Sequence, residues 1–591
     1  MSRRTPSDAS SRETAALAVD LGMPSASAAA VKLPASTTRQ KVSQSFHSIV
    51  RMTGQCSQSW PFIRRAAKFM LARMSLPILP PASMRAFPHF SSTRVHAFGL
   101  AMGLSTGLDF VSSQMMAVAG QHIQGGVHAD PQAYLYAITA YAVAAVVANL
   151  AIGRIAAHIG YRMFSLIGIV LFGVGCVVCA QSNSIDMLVV GRAIQGLGAG
   201  GLFSASRILV QLTTDPDERI APMLMFSVGL FGLTTLAPWI CADVLEYSEW
   251  RVIFWLELLL AAVAWLAMFF LPPEHHQPRT RAARRPREAP PAEGQWDWIG
   301  VGAIAIGALS LLMGLSELRY NRLTATPAIP LLLLGGAAGL LLAVHRLRTH
   351  PDPWLDLTRL NGRRYLWGIG FYGIYYLMSG FWSYLFPAVS QGGLGFTFRT
   401  TTLFLVISGA VSTVVAMIFT IWLPFFFRKR RVIAIGFGIY AAAALLLATS
   451  LMPGAPDYAF FPVSFLEGMT PGAVMIQVAM MTYLDLDRED FAHGYQMKNI
   501  ARQFATAVGT GLAATMLQTQ QAESRSLIVA HVTRFTADLQ AAGPLTADRL
   551  ARLSAEIDRQ ATLLAGTQLF SGFAVACGVF AVVVMVQRSL R

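Results

Sequence analysis

Long uncharged apolar runs constrain this chain more than any other feature. Two clear examples are Met163–Ala180 and Val432–Met452, each long enough as a helix to cross a hydrocarbon core about 30 Å thick. Only 13% of the 591 residues are charged, whereas a soluble protein averages about 25%. We therefore expect an all-α integral membrane protein.

Apolar runs of this kind recur fourteen times after residue 95. They lie near 97–118, 133–152, 163–181, 186–207, 220–243, 252–271, 298–317, 327–345, 366–388, 401–423, 432–452, 457–481, 496–518 and 565–587. The pattern predicts two six-helix bundles, over 96–271 and 346–591, with two additional transmembrane helices over 298–345 between them. An Arg- and Pro-rich linker over 272–297 separates the first bundle from the additional pair.

The basic residues indicate how the chain lies in the membrane. Lys and Arg cluster in alternate loops, as in Arg363–Arg364 and Arg428–Arg431, whereas the loops 119–132, 182–185 and 453–456 hold none. Because cytoplasmic loops collect Lys and Arg, this bias predicts cytoplasmic termini and an inner-membrane location. The net charge of +15 is thus explained by the basic residues of the cytoplasmic loops, and no nucleic-acid partner is expected.

Two segments need separate treatment. Residues 1–95 carry thirteen Lys and Arg against three acids and lack the apolar core of a secretory signal. We expect a disordered cytoplasmic tail; a basic aromatic stretch at 60–70 lying on an anionic leaflet, and a later start at Met84, are the alternatives. The second segment, 519–564, is predicted to be a long outer loop, although it carries five Arg and has helical periodicity.

Several classes of site are absent from the sequence. No P-loop, Gly-x-Ser-x-Gly elbow or His-Glu-x-x-His box is present, which disfavours an ATP-driven pump or a hydrolase. The five cysteines (Cys56, Cys176, Cys179, Cys241 and Cys577) and the scattered histidines give no metal or disulfide framework. No enzyme activity, metal or cofactor is expected.

The fourth apolar run contains a dense glycine motif. Arg192 and Gln195 precede glycines at 196, 198, 200 and 201. Glycines free helix faces of side chains, so that neighbouring helices can approach closely. Arg192 places a charge within the hydrocarbon region of the membrane. Such a charge is costly unless it is paired or faces a water-filled cavity.

Carboxyl groups within the runs give the sharpest indication of mechanism. Asp109 lies near the middle of the first run, Glu257 early in the sixth and Glu467 in the twelfth. A carboxylate is costly in an apolar slab, so it can take up a proton there and release it when the cavity reopens to water. We expect Asp109 to be the principal protonation site, modulated by Arg192, with Glu257 and Glu467 lining the cavity. The alternatives are a structural ion pair for Asp109 and helix–helix or helix-end hydrogen bonds for the two glutamates.

Methionine and aromatic side chains are dense in the same helices. The candidates for a substrate cavity are Met115, Met116, Trp239, Tyr376 and Trp382. Such groups suit bulky, partly aromatic substrates, including cations. Packing and lipid-facing roles are the alternative for each of them.

Six motifs in order resemble the major facilitator superfamily, and specifically its EmrB/QacA-like fourteen-helix drug:proton antiporters. They are Leu108-Asp109, Tyr141, the Arg192–Gly201 motif, Trp250–Phe254, Trp296–Gly300 and Arg502-Gln503. The resemblance implies that Arg192 and Gln195 take part in proton coupling. The carboxyl groups of Asp109, Glu257 and Glu467 join them as candidates because they lie within apolar runs, and the family commonly has Asn where this chain has Glu257. The resemblance also implies a conformational role for Gly153, Gly160, Arg162, Gly196, Gly198, Gly200, Gly229, Gly232 and Pro238.

Other positions depart from that family. The loop after the second run has Ala157 and His158 where the family has Asp and Arg, so we expect its conformational lock to be weakened or replaced. In the fifth run the family's glycine pair is replaced by Cys241 and Ala242, and the Asn-Ala-Pro run after Asp109 is absent. The substrate therefore cannot be carried over from the family.

The sequence favours a proton-coupled exporter of amphipathic small molecules that works by alternating access. A transporter of a specific metabolite or siderophore is an alternative, and so is a transport-inactive membrane sensor or scaffold. The expected partners are a small-molecule substrate, protons and the lipid bilayer. The resemblance adds a periplasmic adaptor protein and an outer-membrane channel, with 519–564 as the docking segment.

Overall fold

The computed structural model describes residues 93–213, 220–270, 297–318, 327–351, 353–422, 429–482, 486, 490–532 and 546–587. Nearly all of the expected tail (1–95) and linker (272–297) lies outside these residues, as do Arg428 and the centre of the 519–564 segment.

The first six predicted spans are helical. Their helices are α1 (Thr93–Gly126), α2 (Pro131–Ile159), α3 (Tyr161–Ala180), α4 (Ile185–Ala199) with α5 (Leu202–Thr213), α6 (Ile220–Tyr247) and α7 (Val252–Phe270). Local chemistry sets several ends: the side chains of Asp130 and Ser184 accept hydrogen bonds from the first-turn amides of α2 and α4. Gly160, with a φ of 86°, separates α2 from α3, a left-handed conformation that favours glycine.

The remaining spans are also helical. They are α8 (Trp298–Glu317), α9 (Ala328–Thr349), α10 (Arg363–Gly392), α11 (Phe398–Trp422), α12 (Lys429–Ser450), α15 (Phe491–His531) and α16 (Ala547–Val586). Between α12 and α15 the twelfth span is irregular: a 3-10 turn leads into α13 (Phe461–Thr470), a π-helical turn at Pro471–Ile476 and α14 (Gln477–Thr482). Proline inside a helix removes a backbone hydrogen bond, which accounts for the irregularity at Pro471.

Eleven helices among the described residues are long and apolar enough to cross a membrane. The three other predicted spans are α1, α10 and α15, with 34, 30 and 41 residues. Their lower hydropathy has a physical reason, because these helices turn polar groups such as Asp109, Tyr372 and Arg502 towards the protein interior. The all-helical membrane fold is thus confirmed, whereas the count of fourteen stays a prediction for these three helices.

Several helices of the first six spans pack against helices of the last six. Helix α6 packs along α11, and α2 with α5 packs against α15. The additional pair is a hairpin in which α8 contacts both α2 and α15, while α9 packs mainly on α8. The additional helices therefore touch both sides of the seam between the two groups.

The 519–564 segment is not a loop over most of its length. Helix α15 continues to His531 and α16 begins at Ala547, and an Arg525–Asp558 ion pair of 2.7 Å joins these extensions. The helical periodicity in the sequence indicated these extensions. Two of the segment's arginines have partners there: Arg525 pairs with Asp558, and Arg559 donates to the carbonyls of Gly393 and Leu394.

Candidate functional site

Asp109 lies completely buried where α1, α2 and α15 meet. Its carboxylate accepts a 2.6 Å hydrogen bond from the Tyr141 hydroxyl and bonds of 3.0 Å from Gln503 Nε2. It also forms an ion pair with the Arg502 guanidinium. Since Tyr141 belongs to α2 and the other two donors to α15, this one carboxylate ties the first six spans to the last six. Both the expected protonation site and its alternative, a structural ion pair, fit this geometry.

Arg192 contacts a different carboxyl network. Its Nη1 donates to Ser112 Oγ at 2.6 Å and to Gln195 Oε1 at 2.8 Å, and Gln195 Nε2 donates to Glu257 Oε2 at 2.9 Å. The second Glu257 oxygen has no hydrogen-bond partner among the described residues. Arg192, Gln195 and Glu257 thus form one buried chain across α4 and α7.

Tyr141 connects the two networks. Its hydroxyl bonds to Asp109, and the Arg192 guanidinium lies 4.1 Å from its ring centroid. Tyr141 therefore contacts both Asp109 and Arg192, whereas the cation in direct contact with Asp109 is Arg502.

The glycines of the fourth span face two neighbours. A Cβ at Gly196 or Gly200 would collide with backbone of α2, at Tyr141 and Ala145 respectively, and a Cβ at Gly198 would collide with backbone of α3. Gly229 similarly allows α6 to approach Gly103 of α1. An added Cβ at Gly232 would have no atom within 4 Å, so helix packing does not require a glycine at this position.

This packing gives a first prediction. Gly198→Ala should lower the stability of the purified protein by about 2 kcal/mol or more, because the new methyl group would lie 2.8 Å from Phe172 Cα and neither helix backbone can give way cheaply. The thermal midpoint in detergent measures the effect. Gly232→Ala is the matched control, expected to stay within about 0.5 kcal/mol; equal midpoints for the two variants would contradict the prediction.

The part of the seam beside Gly200 and Gly153 is held by amides. Asn499 Nδ2 donates to Asn149 Oδ1 at 2.8 Å and to the Gly200 carbonyl at 3.0 Å, and Arg502 Nε donates to Asn499 Oδ1 at 2.8 Å. The side chain of Gln496 lies over Gly153, a glycine of the expected conformational motif. This amide ladder continues directly into the Asp109 cluster.

The loop between α2 and α3 makes its own contacts. Arg162 donates to the Phe269 carbonyl at 2.7 Å, and the Arg154 guanidinium lies 5.4 Å from the Trp354 ring centroid. Trp354 belongs to the connection between α9 and α10, where it is buried against Trp298 of α8. Arg162 therefore joins α3 to α7 within the first six spans, whereas Arg154 joins α2 to the connection between α9 and α10.

Asp297 fixes the additional hairpin at the same end. It caps α8 through the Gly300 amide and accepts hydrogen bonds of 2.7 and 3.1 Å from Arg346 of α9. Burial opposes ionisation of Asp297, but these donors outweigh burial and hold the pKa of the carboxyl below its ordinary value.

The expected cavity residues are not brought together. Tyr376 lies 6.0 Å from Arg502, measured from ring centroid to Cζ, and Trp382 packs in an aromatic cluster with Tyr440, Phe570 and Phe573. Met115 and Met116 pack in the core around Tyr134. Trp239 is 54% exposed on the surface of α6, and its place in the cavity stays a prediction. Pro238 lies inside the same helix.

Glu467 is separate from both networks. It accepts a hydrogen bond from Ser408 of α11, beside a small cavity that Trp382 and Phe404 help to line. Its neighbourhood belongs to the last six spans, and no contact joins it to Asp109 or Glu257 among the described residues.

The site also contains residues that the sequence analysis did not assign. Asn149, Lys498 and Asn499 are buried at the seam, and Arg502 with Gln503 contacts Asp109 directly. A signal was present, because Lys498, Asn499, Arg502 and Gln503 place four polar groups within six residues of the predicted span 496–518. Polar side chains grouped in this way within a span indicate an interior-facing functional surface.

Comparison with known proteins finds one matching family model and several similar sequences. The sequence model of the Major Facilitator Superfamily matches residues 102–510, more than half of the chain. The chain is 26% identical over 381 residues to the putative multidrug resistance protein MdtD of Klebsiella pneumoniae, covering 64% of this chain and 77% of that protein. It is 21% identical over 494 residues to the probable multidrug resistance protein EmrY of Escherichia coli, covering 81% and 92%.

A solved structure shares the fold. The xylose transporter XylE of E. coli, in a partially occluded inward-open conformation, aligns with a TM-score of 0.51 at 12% identity, covering 83% of this chain and 97% of XylE. At this identity the likeness concerns the arrangement of helices alone.

Proposed function

Because the chain belongs to the major facilitator superfamily, we propose that it is a proton-coupled exporter of amphipathic small molecules that works by alternating access. The chain is a multi-pass membrane protein of a transporter family. The proposal of export draws support from the multidrug-resistance names of MdtD and EmrY. In this proposal residues 96–271 and 346–591 are the two moving bundles, in an inner membrane with both termini cytoplasmic.

The observation that carries the proton coupling is the position of Asp109 at the seam. While ionised, Asp109 holds Arg502 and Gln503 of α15 against α1 and α2. A proton on the carboxylate removes the charge that attracts Arg502, so it weakens the link between the two bundles. Protonation and the opening of the seam are therefore energetically coupled, as a proton-driven alternating-access cycle requires.

The second network can serve the same cycle. Glu257 has one oxygen held by Gln195 and one without a partner among the described residues. In the proposal this carboxyl binds a second proton or a polar group of the substrate, and the nearby positive charge of Arg192 compensates its negative charge. The paired helical extensions of α15 and α16 are the proposed docking surface for a periplasmic adaptor protein that leads to an outer-membrane channel.

The test is proton-driven flux in everted membrane vesicles with a panel of lipophilic anionic, neutral and cationic dyes. Wild type should accumulate at least one dye in a way that a protonophore abolishes. Glu257→Gln should lower the initial rate about tenfold, less than the two or more orders of magnitude that loss of an essential proton-transfer group costs, because Glu257 takes only the second proton in the proposal. The exposed Glu249→Gln is the matched control and should keep the wild-type rate. Absence of protonophore-sensitive flux for every dye, with the protein present in the vesicles, would overturn the proposal.

A further inference from the structure

A small cavity lies within the last six spans, between α10, α11 and α13. Three polar side chains line it: Glu467 and Ser464 of α13, and Ser408 of α11. The cavity has room for about one water molecule. Among the described residues, no contact links it to the Asp109 or the Glu257 network, so neither network explains it. The rest of its wall is apolar and consists of Trp382, Phe386, Phe404, Leu405 and Val463.

Close helix packing places the carboxyl group in this cavity. Gly468 follows Glu467 directly, and a Cβ there would collide with the Ser408 carbonyl, so a glycine is needed for α13 to approach α11 this closely. The Glu467 carboxyl and the Ser408 hydroxyl consequently form a hydrogen bond. The chain then continues into the π-helical turn at Pro471–Ile476, an irregularity that is frequent at functional sites.

The carboxyl group of Glu467 has no positive partner in the part of the chain that the structure describes. Its hydrogen-bond partner is the Ser408 hydroxyl. The ionisable side chains that interact with it electrostatically are Tyr375 of α10 and Tyr440 of α12, and neither carries a positive charge. A carboxylate within a membrane span is costly unless a cation accompanies it. The cavity therefore favours a positively charged occupant.

Ser464 gives a second, independent indication of an occupant. The residue is 4% exposed and lines the cavity, and its hydroxyl makes no hydrogen bond to another described residue. A buried polar group without a hydrogen bond is costly. A proton on Glu467 cancels the charge without bonding to this hydroxyl, and a water molecule bonds to the hydroxyl without cancelling the charge. One positive hydrogen-bond donor does both.

We propose that this cavity binds a primary ammonium group, either as the free ammonium ion or as the end of an alkylamine. Such a group is about the size of a water molecule, and its three or more N–H donors match the acceptors on Glu467, Ser408 and Ser464. The rings of Trp382 and Phe404 line the same cavity, and aromatic rings attract cations over their faces. The inference goes beyond the proposed function, because it concerns binding and holds whether or not the ammonium compound is transported.

Other cations fit the cavity less well. Calcium and magnesium take about six or more oxygen ligands, whereas three oxygen-bearing side chains line this cavity and the remaining wall is apolar. A quaternary ammonium group lacks N–H donors and is too large for a space of one water molecule. The number of acceptors and the size of the cavity therefore both favour a primary ammonium group.

The experiment compares the chloride salts of ammonium, methylammonium, butylammonium, tetramethylammonium and sodium. Purified full-length protein in detergent is titrated calorimetrically with each salt at one pH and one ionic strength. We expect ammonium or a primary amine to bind at least about tenfold more tightly than tetramethylammonium and sodium, because neither of these can donate a charge-assisted hydrogen bond. Tighter binding of butylammonium than of ammonium identifies the end of an amine as the ligand, whereas the reverse order identifies the free ion.

Three variants locate the binding. Glu467→Gln nearly keeps the shape of the side chain and should lower the affinity for the tightest-binding salt at least about tenfold, because the charge is lost. Ser464→Ala should lower that affinity about three- to tenfold, as loss of one hydrogen bond implies. Glu249→Gln removes a carboxylate whose side chain is 76% exposed and should leave the affinity unchanged. Melting curves without added ligand show which variants are folded.

The outcomes are distinct from those of the proposed function. Tetramethylammonium or sodium binding as tightly as ammonium and the primary amines, or no binding of these donors by wild type, would overturn the site. An unchanged affinity in folded Glu467→Gln contradicts it as well, and if that variant does not fold, an unchanged affinity in Ser464→Ala does so. Binding that depends on Glu467 without protonophore-sensitive flux of any dye supports the site and contradicts the exporter.

Discussion

Replacement of Asp109 by Asn should lower proton-driven efflux by about a hundredfold or more, because loss of an essential proton-transfer group costs two or more orders of magnitude. Asparagine has nearly the same shape, and its side-chain oxygen can still accept the hydrogen bonds that Tyr141 and Gln503 donate to Asp109. The variant keeps these contacts but leaves Arg502 without its charged partner, so rates are compared per amount of inserted protein; it cannot take up and release a proton. The measurement is the initial rate of dye accumulation in everted vesicles driven by a pH gradient.

Two comparisons make this result specific. Asp186→Asn removes an exposed carboxylate from the first turn of α4 and should transport like wild type. Substrate exchange without a gradient should survive in Asp109→Asn, because exchange needs binding and movement but no net proton transfer. Gradient-driven rates equal to wild type would remove Asp109 from the mechanism.

Arg502→Gln should destabilise the protein by about 3–5 kcal/mol, the usual result of leaving one charge of a buried pair without its partner. Asp109 would then keep Tyr141 and Gln503 as donors but lose its only contacting cation among the described residues. The double variant Asp109→Asn with Arg502→Gln should recover most of this stability, because both charges are then absent, while proton-driven efflux stays lost.

Melting curves of the purified single and double variants in detergent measure this coupling. Arg348→Gln, which removes an exposed arginine, serves as the control and should melt with wild type. If the two single effects simply add in the double variant, Asp109 and Arg502 do not stabilise the fold as a pair, and the link between the bundles must lie elsewhere.

The sequence predicted the fold well because apolar run length and charge alternation are local signals. Apart from α10, each span from Met163–Ala180 to the irregular segment at 457–482 could be predicted without knowing its neighbours. The signal for a membrane span was weakest in α1, α10 and α15, because their interior-facing polar groups lower the hydropathy by which a span is recognised. Segment 519–564 was harder, since helices that continue beyond an apolar run carry no signal except periodicity.

The site was predictable only in part. Asp109, Arg192, Gln195 and Glu257 stood out because a charged or amide group in an apolar run is conspicuous. Their partners did not: Arg502 is 393 positions from Asp109 along the chain, and pairing at that distance depends on how the bundles close. The exposure of Trp239 could not be predicted for the same reason, because helix packing decides which face of α6 lies away from its neighbours.

The additional helix pair has a consequence for how such transporters can be simplified. Its hairpin and the Trp354 connection lie in one apolar cluster with Leu150 of α2 and Tyr495 of α15, next to the amide ladder of the seam. A chain trimmed to twelve helices would uncover this cluster and the amide ladder that continues to Asp109. In the proposed transport cycle, we expect such a chain to leak protons without moving substrate.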